Sequence, residues 1–324
     1  MTGTLDTLLL LALPASGKSE LRRYLDTRTP AQLAELHLRP GVQLDDYPYV
    51  HLMRRVSAEL ADLGSPPVFF ASSGRGWLDP RDWGTLIHLI NEDYAALTRS
   101  RPVPAEAADT LLRRFDAARR AVGAPAPFES LNAGLRSRLC AAIEEEATQL
   151  GVVEPVDLAA HTVVIEFARG GPEGARMPLD PPHGYGYSLS RLSPSILESA
   201  AILYVWVEPA ESRRRNRERA KPGREADASI LHHGVPEAVM REEYGTDDMK
   251  WLIEHGGRPG TVAVPAHGHT FHLPVVRFDN RVDRTSFLRA DPGEWDDQLL
   301  ATLWSSLVDA FGRLAALRAE QTAG

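Results

Sequence analysis

At 324 residues, 43% of them apolar and 25% charged, the chain can bury a large core and exceeds the usual size of one domain. A formal charge of −8 argues against a general nucleic-acid coat, and no apolar run reads as long enough to span a bilayer. The single cysteine, Cys140, excludes an internal disulfide and fits a reducing cytoplasm; its apolar helical surroundings predict a buried, inert thiol.

The strongest signal lies near the start. The apolar run Leu8–Leu13 flows into Pro14-Ala15-Ser16-Gly17-Lys18-Ser19, and an amphipathic stretch follows with Leu21, Tyr24 and Leu25. That order is strand, tight turn, helix N-terminus. The phosphate-cradling pattern G-x-x-x-x-G-K-[ST] fits positions 12 to 19 with Ala12 replacing the first Gly. Gly17 lets the backbone close around an anion, and the turn's N–H groups and the helix dipole point at phosphate. Lys18 supplies a point charge and the Ser19 hydroxyl can ligate Mg²⁺. Ala12 lacks glycine's freedom to adopt positive φ, so the loop must leave the strand in an extended conformation. The bland alternatives are a secretory signal and a chance match on an ordinary strand–helix turn. Against the first, Asp6 precedes the run and no Lys or Arg does; against the second, the pattern stands immediately after an N-terminal apolar strand.

Next, Gly41–Leu44 is a brief extended run ending in Asp45-Asp46-Tyr47-Pro48-Tyr49. Acids at a strand's C-terminal tip sit on the ligand side of a parallel α/β sheet. Such a carboxylate can take a proton from a hydroxyl or help hold hydrated Mg²⁺; equally, it can cap the helix expected over 50–63. Pro48 disfavours helix at Tyr47.

Residues 65–159 read as a helical insertion between core strands. Val68-Phe69-Phe70 is a possible short strand, and helices are expected near 84–97, between Pro104 and Val122, and near 131–150. Trp77 and Trp83, with Asp79, Arg81 and Asp82 between them, suit either a substrate pocket or a helix entry, the second slightly favoured.

Thr162–Phe167 is the clearest β-rich run, apolar enough for a strand covered on both faces, and Glu166 stands near its end. Residues 170–190, rich in Gly and Pro, predict a mobile loop; Ser193-Pro194 opens a short helix. Ala201–Val207 is a further buried strand. It leads into a helix with five arginines in seven positions: Arg213, Arg214, Arg215, Arg217 and Arg219. Arg213 and Arg217 share one face, Arg215 and Arg219 another. These are a solvated basic face, a nucleic-acid patch, or a lid closing on a phosphoryl group. A polar loop and helix over 221–249 carries His232-His233 and Asp247-Asp248. His267, His269 and His272 read as the edge of a hairpin rather than a metal site. Leu273–Phe278 is a strand ending in Asp279-Asn280, and Asp291-Pro292-Gly293-Glu294 is expected to open a last helix with Leu299, Leu303, Leu307, Ala310, Phe311 and Leu314 on its core face.

The order of these motifs resembles the P-loop kinases of the uridine kinase and phosphoribulokinase type, and more broadly the nucleoside and nucleotide kinases. The resemblance implies a three-layer αβα P-loop NTPase fold with a parallel sheet, residues 1–64 and 160–324 forming the core and 65–159 the acceptor side. It implies ATP held by Pro14 to Ser19, with Asn280 approaching the adenine. Mg²⁺ would lie by Ser19, Asp45 and Glu166, and catalysis would involve Lys18, Asp45, Glu166, Arg213 and Arg217. The expectation is a cytoplasmic ATP-dependent kinase acting on a small-molecule acceptor such as a nucleoside, nucleotide or sugar-like alcohol, without a membrane or nucleic-acid partner. The alternative is a P-loop switch or regulatory ATPase without an acceptor; weaker still is a polynucleotide or toxin-like kinase.

Overall fold

A computed structural model describes residues 3–99, 105–151, 153–219 and 234–323. His232, His233 and the start of the polar stretch at Lys221 lie outside them, as does Pro104.

Six strands form one sheet: β1 (Thr7–Leu11), β2 (Gly41–Asp45), β3 (Thr162–Phe167), β4 (Ala200–Trp206), β5 (Thr261–Ala266) and β6 (His269–Asp279). Their order is β2-β3-β1-β4-β6-β5, all parallel except β5, which pairs antiparallel with β6. The runs Thr7–Leu11 and Thr162–Phe167 are buried at every position, as apolar strands sandwiched between helices must be. Side chains alternate between two cores, following the two-residue period of a strand. Leu8, Leu10, Val164, Leu203 and Val276 face α1 (Lys18–Asp26) and α12 (Asp297–Ala323). Leu9, Leu11, Ile165, Phe167 and Ile202 face α4 (Asp82–Ala96), α7 (Gly184–Ser190) and α8 (Pro194–Ser199). The architecture is three-layered, helices on both faces of a mostly parallel sheet.

A third core gathers α3 (Tyr47–Asp62), α5 (Ala107–Ala121) and α6 (Ala133–Gly151). Helix α4 joins it to the sheet: Ile87, Ile90 and Tyr94 pack on the strands while Trp83, Leu86 and Leu89 pack among the helices.

Several expectations change. Tyr47 is already helical, because proline is tolerated in a first turn where its missing N–H bonds to nothing. Val68–Phe70 makes only a single bridge, Phe70 to Trp77. Gly184–Ser190 within the expected loop is helical, two of its first N–H groups donating to Asp248 at 2.6 and 3.0 Å. Pro292–Glu294 is an isolated 3-10 turn, and the last helix starts at Asp297 with Leu299 exposed. Cys140 is half-buried, and burial raises its thiol pKa. The histidine hairpin is present, with His267-Gly268 as its two-residue, positive-φ turn.

Contrary to expectation, the helix over Asp297–Gln321 is, by length and composition alone, long and apolar enough to cross a membrane. Its apolar stripe, Leu303, Leu307, Phe311 and Leu314, is nonetheless buried against the sheet, with α12 lying over β4 and β6.

Candidate active site

The connections on either side of β1 run in opposite directions. The chain leaves β1 for edge strand β2, returns to β3, then crosses to β4 on the other flank. In open α/β sheets ligands bind beyond the carboxyl ends of the strands at such a reversal. A cleft of about 420 Å³ lies there, lined by residues 13–20, by Asp45, Asp46 and Glu166, and by Trp83, Arg219 and Tyr244.

The β1–α1 turn is built for close backbone approach. Ala15 and Gly17 have φ of 55° and 101°; Ala12 is not among the positive-φ residues. A Cβ on Gly17 would collide with Thr285 and Asn280, so only glycine fits. Gly17 caps α1 without a side-chain hydrogen bond, leaving the first-turn N–H groups unclaimed by any cap. Buried Ser16 Oγ has no hydrogen-bond partner among the described residues. The loop is fixed from behind: Asn280 Nδ2 donates to the Ser16 carbonyl at 2.8 Å and Ser212 Oγ to the Pro14 carbonyl at 2.7 Å. Asn280 is fully buried; its amide also binds Thr285 Oγ1 and the Arg284 N–H. It supports the loop and is not part of the cleft wall.

Parallel pairing places Asp45 beside Glu166 on neighbouring strands. Alternation along β3 turns Glu166 to the α1 side, where Lys18 Nζ is 3.1 Å from Oε1 and Ser19 Oγ donates to Oε1 at 3.0 Å. Arg22, one turn beyond Lys18, bridges the two acids at 3.2 Å to Asp45 and 2.9 Å to Glu166. Burial pushes Glu166 upward, but Lys18 and Arg22 outweigh it and hold the carboxyl below its usual range. Asp45 goes the other way. Burial, then the charges of Glu166 and Asp46, push it up to about 7, although it accepts the Tyr47 N–H at 2.8 Å. Asp45 therefore both caps the helix and faces the cleft. Asp46 turns to buried Arg169, 2.6 Å away, which packs over the rings of Trp83 and Phe167.

All five arginines of α9 (Pro209–Arg219) pair with carboxylates. Arg213 binds Glu173 and Arg217 the exposed Glu237; neither lines the cleft. The arginine that reaches it is Arg219, bound to fully buried Glu20 at 2.9 Å. Trp83 does line the cleft, its ring edge-on to Tyr244 and its indole N–H donating to Glu243 at 2.9 Å. Asp82 is instead buried against Arg119 at 2.6 Å. Arg22 and Tyr244 were not among the expected site residues, spacing of four from Lys18 carrying a signal for the first alone; Arg219 was expected only as one of the lid arginines and Trp83 only as the less favoured pocket reading.

No family model, curated protein or solved structure matches the chain.

Proposed function

We propose that the chain is an ATP-dependent phosphotransferase of the P-loop kinase kind, moving the γ-phosphoryl group to a small-molecule hydroxyl. The observation that carries this reading is the convergence of Lys18, Ser19, Asp45 and Glu166, from three distant segments, on one cleft at the sheet's switch point. The donors fit a triphosphate: uncapped helix N–H groups, an orphaned Ser16 hydroxyl and a lysine in a turn too tight for a side chain at position 17. They also fit Mg²⁺, which keeps several waters and takes only one or two carboxylates. Ser19 with Glu166, which stays ionised, would hold it, and the metal would neutralise phosphate charge.

In the proposed reaction the acceptor oxygen bonds to the γ-phosphorus as the bond from phosphorus to the bridging oxygen of ADP breaks. The acceptor proton passes to Asp45, whose pKa near neutrality suits a general base. Asp46 is tied to Arg169 and is the poorer candidate. Lys18 and Arg219 supply fixed positive charge where negative charge accumulates, an effect that rests on preorganisation.

The test is ADP release with MgATP against nucleosides, nucleotides, sugars and hydroxy acids. Release that requires one acceptor and is lost in Asp45→Asn supports the kinase. Steady, acceptor-independent release would favour a regulatory ATPase.

A further inference from the structure

Among the described residues, one arginine of the cleft forms no salt bridge with a carboxylate. Lys18 is matched by Glu166 and Arg219 by Glu20. Arg54, on α3, lines the same wall, yet among the described residues its hydrogen bonds go only to the carbonyls of Ser73 and Arg75, at 3.0 and 3.3 Å, both through Nη1. Its guanidinium lies 4.0 Å over the Phe70 ring, which fixes the plane and leaves Nε and Nη2 without a partner among those residues. The groups that face it are Tyr47, Tyr244 and Glu243. The tyrosines are neutral, and Glu243 makes its hydrogen bonds with the Trp83 indole and the Trp77 N–H rather than with Arg54. Burial lowers the Arg54 pKa, and Tyr244, Tyr47 and Glu243 offset only part of that cost.

Arg54 also stands where the cleft opens into a second groove of about 350 Å³, and the two share His51, Arg54 and Ser73. Glu146 and Arg55 also line that groove, and Arg55 is paired with Glu59 at 3.0 Å. Tyr47, Val50, His51 and Arg54 recur at the spacing of one helix face, running from Asp45 along α3. Within α3, Arg54 stands seven residues beyond Tyr47, a rise of roughly 10 Å.

Resting on the kinase reading, we infer that the acceptor is an anionic hydroxyl compound, its hydroxyl at Asp45 and its carboxylate or phosphate on the free fork of Arg54. A planar guanidinium favours such two-oxygen groups. The Trp83–Tyr244 corner supplies the apolar wall between the two ends.

The test uses matched pairs: sugars against sugar monophosphates, nucleosides against nucleoside monophosphates, and alcohols against hydroxy acids. Calorimetry on the full chain without ATP reads binding, and ADP release reads turnover separately. At least one anionic member, phosphate or carboxylate, should bind about 10- to 100-fold tighter than its neutral partner. That preference should vanish in Arg54→Leu and partly return in Arg54→Lys, with ATP titration checking that each variant is folded. A wild-type protein with no preference for any anionic member overturns the inference, as does a preference that survives Arg54→Leu. Binding that depends on Arg54 without any phosphoryl transfer would refute the kinase reading and keep the anion site; transfer to neutral acceptors alone would do the reverse.

Discussion

Two regions of this molecule bury charge, and they do it differently. In the helical pack, acids and bases are matched and closed off. Asp82 meets Arg119 at 2.6 Å, Arg114 bonds to Asp93 at 2.9 Å, and the Asp116 carboxylate accepts the N–H groups of Phe128 and Glu129. At the sheet edge, Asp45, Asp46 and Glu166 crowd together, share Lys18, Arg22 and Arg169 unequally, and face a cleft. Burial pushes both Asp82 and Asp45 up to about 7. A raised pKa alone therefore does not mark a catalytic acid; the open cleft beside Asp45 makes the difference.

Substitutions should separate the two regions. The largest effect is expected from Asp45→Asn, which removes the base and should lower turnover by about 10²- to 10⁴-fold, measured by ADP release. The native enzyme should lose activity as pH falls through about 7, where Asp45 takes up its proton. An unchanged acid limb in Asp45→Asn would reassign the base. Next comes Arg119→Leu, which leaves buried Asp82 without its 2.6 Å partner and should cost about 3–5 kcal/mol in denaturant unfolding above about pH 7, where Asp82 is ionised. Nucleotide affinity should persist wherever the variant is folded.

Gly17→Ala forces a side chain into positive φ and against Asn280 and Thr285, an expected cost of about 1–3 kcal/mol with loss of ATP binding. Asp82→Asn tests linkage. The native Asp82 holds its proton between about pH 4 and 7 where the unfolded chain has released it, so stability should fall as pH rises across that window. The variant should show a shallower fall. The smallest effect is expected from Arg217→Ala, an exposed pair with Glu237 at 3.4 Å, which should change stability by less than about 1 kcal/mol and leave turnover intact.

What was readable in the sequence follows from range. The strands announce themselves because a strand covered on both faces must be apolar throughout, as in Val163–Ile165 and Ala201–Val205. The β1–α1 turn is equally local: Gly17, Lys18 and Ser19 do their work within one turn. Asp45 and Glu166 could be placed together because parallel strands carry their C-terminal ends to one edge. The arginines of α9 could not be ranked, since five of them surround the helix and only its seating beside Pro14 turns Arg219 inward. Asn280 ends its strand as expected, but the fold turns its amide into the loop's underside. The helix at Tyr47 was hidden by Pro48, which forbids helix before it in general and permits it in a first turn.

The phosphate cage is tested most directly by calorimetric titration of ATP with Mg²⁺ into the native chain and Lys18→Ala. Saturable binding by the native protein, weakened about 10²-fold or more in the variant with its unfolding midpoint unchanged, is the expected result. Equal affinity in the two proteins, or none in either, would contradict a triphosphate site at the β1–α1 turn.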